Sequence, residues 1–104
     1  MRINNKASRY LEATAQQYVS AEKPVYSVSP AVEVKYVWRD NRPTEEVSGY
    51  QLSFVQEGLP VFKVKFEDEP ILPKFLSKVS FDQLTALEVR SNVYFKSSGL
   101  KEVK

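Results

Sequence analysis

From Ala31 onward the chain changes sides at every residue. In "AVEVKYVWRD", Val32, Val34, Tyr36 and Trp38 alternate with Glu33, Lys35, Val37 and Arg39. A period of two belongs to a strand with one side covered, because successive side chains of an extended backbone point to opposite faces. The pattern recurs in "YQLSFVQ" through Tyr50, Leu52 and Phe54, and in "PVFKVKFED", where Phe62, Val64 and Phe66 oppose Lys63 and Lys65. It returns in "VSFDQLTALEVR" through Val79 and Phe81 and, after a break near Gln83, through Leu87 and Val89. In "NVYFKSSGLKEV" it sets Val93 and Phe95 against Tyr94 and Lys96. Between these runs, "NRPTEEVSG" from Asn41 to Gly49 reads as a loop and Gln56 to Gly58 as a tight turn. "EPILPKFLSK", with Pro70 and Pro73 among large apolar residues, is expected to cross the sheet and plug its open end.

Before Ala31 the period is helical. Ala7, Leu11, Thr14, Ala15 and Tyr18 predict a short amphipathic helix from Asn5 to about Val19, with Asn5 or Ser8 as cap. Pro24 and Pro30 bracket an extended "VYSVS". The expectation is a mainly β protein: residues 1–30 as N-terminal helix and extended arm, and residues 31–104 as a small five-stranded barrel. Three meandering strands, a crossing connection and two more strands suit an oligonucleotide-binding (OB-like) barrel, whose closure removes sheet edges. A barrel of the Src-homology or Sm type uses nearly the same pattern.

Composition excludes more than it identifies. A chain of 104 residues fits one domain, and no apolar run approaches the roughly 18 residues of a membrane span. "MRINNKASRYLEA" has no apolar stretch after its basic residues, so no secretory leader and a cytoplasmic setting are expected. With neither cysteine nor histidine, the chain lacks the usual transition-metal ligands, thiolate chemistry and the commonest general base. Glu67, Asp68 and Glu69 are adjacent, and neighbouring strand residues diverge rather than converge on one ion, so a solvated turn is expected. No nucleophile motif or glycine-rich phosphate loop appears. No enzyme activity, metal or cofactor is expected.

The net charge of +2 names no partner by itself; where the cations lie matters more. If Val93 and Phe95 face the core, Tyr94 and Lys96 lie outside, on the side that the same alternation gives to Lys35, Arg39, Lys63, Lys65 and Arg90. Cations beside an aromatic ring suit single-stranded nucleic acid, since phosphates need screening and unpaired bases stack on rings at about 1–3 kcal/mol each. Arg39 and Arg42 flank the "RDNRP" loop, and Tyr36, Trp38 and Tyr50 nearby are candidates for base stacking. The same lysines also serve simply to keep a sheet soluble, and Tyr36 and Trp38 are accounted for by core packing.

"VWRDNRPTEEVSGYQLSFV", "PVFKVKF" and "VSFDQLTALEVRSNVYFKSSGLKEV" together resemble small single-strand-binding-like proteins of Gram-positive phages, plasmids and conjugative elements. The likeness covers Val32 to Val103. It implies an OB-like barrel, often a homodimer, that coats single-stranded DNA (or RNA) without reading sequence during replication or transfer of a mobile element. Replication or conjugation proteins would be its partners, and no membrane is involved. It supports Lys35, Arg39, Arg42, Lys63, Lys65, Tyr94 and Lys96 as contact residues. Members with an acidic tail use it to recruit partners, and "KEVK" is not acidic in that way. The competing expectation is a protein-interaction module docked through the N-terminal helix.

Overall fold

The computed structural model describes residues 9–103. One short helix, α1 (Glu12–Gln16), precedes eight strands: β1 (Val25–Ser27), β2 (Glu33–Arg39), β3 (Arg42–Gln56), β4 (Phe62–Phe66), β5 (Lys78–Asp82), β6 (Thr85–Val89), β7 (Asn92–Lys96) and β8 (Gly99–Glu102). They form one sheet in the order β6-β7-β4-β3-β1-β5-β8, with β2 on the β1 edge of β3. All pairings are antiparallel except β4 with β7. The protein is mainly β, as expected, but its described residues form eight strands in one open sheet instead of five in a closed barrel.

Two causes account for the extra strands. "VYS" pairs as β1 with both β3 and β5, so Val25–Ser27, expected in an extended arm, are a strand of the sheet. The expected fourth and fifth strands each bend midway. Asp82 opposite Gly99 and Thr85 opposite Lys96 keep one register across the bend at Gln83–Leu84 and Ser97–Ser98. Residues 78–102 are thus a single long hairpin, bent so that β5 joins β1 while β7 joins β4. The Asp82 carbonyl fastens the bend by accepting bonds from the Ser97 hydroxyl at 2.7 Å and from the Ser98 amide at 3.0 Å. Gln83, at φ 52°, absorbs the turn. The bend also shifts the alternation by one residue. Ala86 faces the core, while Leu87 and Val89, expected inside, lie on the other side with Val89 exposed.

The core is Ala15, Val19, Val25, Leu52, Phe54, Phe62, Val64, Phe66, Val79, Ala86 and Phe95. Phe54 anchors it with an edge contact to Phe81 at 4.8 Å and a tilted contact to Phe62 at 6.0 Å. Buried Gln56 pins the turn after α1: its amide donates to the carbonyls of Ser20 (2.8 Å) and Lys23 (3.0 Å) and accepts from the Ser20 N–H (2.9 Å). The helix is shorter than expected because Leu11 is extended and exchanges two backbone bonds with Ala86. Asn5, Ala7 and Ser8, expected in its first turn, lie outside the described residues.

Two further expectations change. The segment after β4 does not plug the sheet. Pro73 is buried, but Ile71, Phe75 and Leu76 are exposed, because bonds from Leu76 N–H to the Ser27 carbonyl and from Lys74 N–H to Glu102 hold the backbone flat against β1 and β8. The expected Asn41–Gly49 loop is strand from Arg42 onward, with only Asn41 left in the turn. Asp40 and Asn41 take φ of 51° and 62°, the left-handed pair of a type I′ turn that matches strand twist. Pro43 sits opposite Trp38, one pair beyond the turn, where its missing N–H would point away from β2. The register then slips on β3, and the Thr44 hydroxyl donates to the Val37 carbonyl at 2.7 Å. Gly49 is required by close approach: a Cβ there would lie 2.8 Å from the Phe66 carbonyl oxygen.

Candidate nucleic-acid interface

β3, β4 and β7 present the core on one face and polar side chains on the other. Because Leu52, Phe54, Val64, Phe66 and Phe95 point inward, the alternate residues Gln51, Ser53, Lys63, Lys65, Tyr94 and Lys96 point outward. Register brings them side by side. Gln51 faces Lys65 across β3 and β4, Lys65 faces Lys96 across β4 and β7, and Ser53 faces Lys63. Lys35 opposite Gly49 extends the row onto β2, and Arg39 opposite Arg42 continues it to the hairpin tip.

Acidic side chains interleave with these cations. Glu33 reaches Lys35 at 3.6 Å and Lys63 at 3.5 Å, Glu67 reaches Lys96 at 3.9 Å, and Arg39 pairs with Glu46 at 2.9 Å. All of these groups are substantially exposed, so each pair holds by about 1 kcal/mol or less and a phosphate can displace the carboxylate. Among the described residues Lys65 has no carboxylate in ion-pair contact; its ammonium lies 3.5 Å from the Ser48 hydroxyl.

Of two tyrosines that sequence reasoning missed, Tyr10 joins this surface and Tyr18 packs against the core beneath it. The Leu11–Ala86 pairing lays Tyr10 beside Lys96, whose ammonium is 5.3 Å from the ring centroid, a cation–π geometry. Burial, and then the neighbouring Tyr94, push the Tyr10 hydroxyl above its ordinary pKa. Tyr18 stands edge-on to Phe95 at 6.4 Å and donates its hydroxyl to Glu88, which holds that phenol protonated to higher pH. Nothing local in "SRYLEA" signals this, because the position of Tyr10 is set by a strand partner 75 residues away in the chain.

The candidate residues fall into separate places. Lys35, Arg39, Arg42, Lys63, Lys65, Tyr94 and Lys96 share the outward face. Arg90 occupies the β6–β7 turn at φ 57°, beside the Phe62 end of β4 and so at the opposite end of the sheet from Arg39 and Arg42. Tyr36, Trp38 and Tyr50 lie on the other face. Val34 opposite Tyr50 and Tyr36 opposite Val47 continue the core side of β3, so these three aromatic residues do not stand beside the cations. Tyr50 is half-buried, whereas Tyr36 is 43% and Trp38 66% exposed. The expected packing of Tyr36 and Trp38 in the core is therefore overturned: the hairpin carries them past everything that covers the inner face.

Comparison with protein families, curated proteins and solved structures gives no match to the chain.

Proposed function

We propose that the protein binds single-stranded DNA without sequence preference through the outward face of β3, β4 and β7, by contact and not by catalysis. The observation that carries this reading is the cross-strand row of Lys63, Lys65 and Lys96, flanked by Lys35 and bearing Tyr94. Regularly spaced cations neutralise a phosphate backbone, and a tyrosine among them offers a stacking surface that every base can use. The resemblance of the strand sequences to small single-strand-binding-like proteins supports a role in replication or transfer of a mobile element.

The test is fluorescence anisotropy of a labelled oligothymidylate. Affinity is expected to fall with salt at a log–log slope of roughly −3, about 0.7 for each of four phosphates held by Lys35, Lys63, Lys65 and Lys96. A second reading has its own support in the exposed Val34, Tyr36, Trp38 and Val47 on the β2–β3 hairpin, an apolar face of the kind that docks proteins. Absence of oligonucleotide binding at low salt would transfer the function to that face.

A further inference from the structure

β4 and β7 pair only at Val64–Phe95 and Lys65–Lys96. A cleft of about 600 Å3 opens beside this short ladder, within the roughly 300–1,000 Å3 of small-ligand pockets. Tyr10, Tyr18, Phe62, Tyr94 and Phe95 contribute its aromatic surface, and Lys63 and Lys65 contribute its charge. Among the described residues, none that lines the cleft is acidic. The neighbouring polar cleft differs sharply, being lined by Glu12, Glu67 and Asp68 around Lys96. An anionic ligand is repelled from the second cleft and drawn to the first.

We propose that this cleft takes one nucleobase of the bound strand, stacked against Tyr10 and Tyr94, with its phosphates on Lys63 and Lys65. The inference rests on the single-strand reading above and adds to it a defined base site, half of which is delivered by the N-terminal segment. Tyr10 and Tyr18 lie outside Val32–Val103, so they extend the interface beyond the part of the chain that carries the resemblance. The backbone exchange between Leu11 and Ala86, at 2.9 and 3.0 Å, fixes Tyr10 in place before any ligand arrives, which lowers the ordering penalty of binding.

The experiment compares a labelled twelve-nucleotide oligothymidylate with an abasic oligomer of equal length and charge. The intact protein is expected to prefer the base-bearing strand by about fivefold or more, the effect of one stacked base. Tyr94→Leu and Tyr10→Leu are each expected to lower affinity for oligothymidylate towards the abasic value while abasic binding stays the same; Lys65→Gln is expected to weaken both strands alike. Thermal unfolding of each variant checks the fold, and if Tyr10→Leu unfolds, Tyr94→Leu alone decides. Equal binding of the two strands by the intact protein overturns the base site but leaves strand binding standing. A base preference abolished by Trp38→Leu and untouched by the tyrosine variants also overturns it. Binding of neither strand overturns both. Thymidine monophosphate binding as tightly as the oligomer would keep the cleft and remove the strand.

Discussion

The molecule contains two long hairpins that read alike in sequence and behave oppositely. Residues 78–102 and residues 33–56 both alternate, and each turns through two residues, Arg90–Ser91 and Asp40–Asn41. The first bends at Gln83 and Ser97, so its two halves dock on β1 and β4 and bury Val79, Ala86 and Phe95. The second does not bend over the core. β3 is 15 residues long, about 50 Å at 3.3 Å per residue, comparable to the longest dimension of the whole molecule, 49 Å. Its far half has no β4 partner, and Val34, Tyr36 and Trp38 stay in water. Alternation tells which side of a strand is apolar; whether anything covers that side is decided by other strands.

The sharpest way to break this contrast is to truncate one aromatic side chain from each half of the inner face. Phe54→Ala is expected to lower unfolding stability by about 3–5 kcal/mol in a denaturant titration, since its ring is fully buried against Phe62 and Phe81. Next in size is Gly49→Ala, placed where the covered half of β3 meets the projecting half. Its Cβ would press on the Phe66 carbonyl and Lys65, with an expected loss of about 1–3 kcal/mol, and a loss well below that would show that the junction yields easily.

A smaller effect comes from pH. The Tyr18 phenol is held above its ordinary pKa first by its hydrogen bond to Glu88. A raised acid stabilises the fold below the unfolded pKa and loses that contribution as pH climbs through the folded value. The thermal midpoint of the native chain is therefore expected to drop above pH 10 by more than that of Tyr18→Phe; parallel curves would show that this contact contributes nothing. Smallest of all is Trp38→Ala, expected to stay within about 0.5 kcal/mol because the side chain is largely solvated. A loss of 2 kcal/mol or more there would mean the hairpin face is covered after all.

Much of the framework was legible in the alternation. Phe62, Val64 and Phe66 face in and Lys63 and Lys65 face out, and the break expected near Gln83 is a real bend, because these follow from local periodicity. The Asp40–Asn41 turn was readable too, as a doublet tolerant of left-handed backbone, but Pro43 and the polar run after it argued for a loop. The phase change at Ala86, the strand made by "VYS" and the arrival of Tyr10 at Lys96 were not readable, since each depends on pairing between segments far apart in sequence.

The central claim is that a nucleic-acid strand touches the lysine face and leaves the tryptophan face alone. Side-chain chemical-shift mapping of the full chain with an oligothymidylate tests it most directly. The tyrosine rings at 10 and 94 and the lysine ε-methylenes at 63, 65 and 96 are expected to shift, with the Trp38 indole N–H unmoved. Movement of Trp38 and Tyr36 with the lysine signals static would contradict the account.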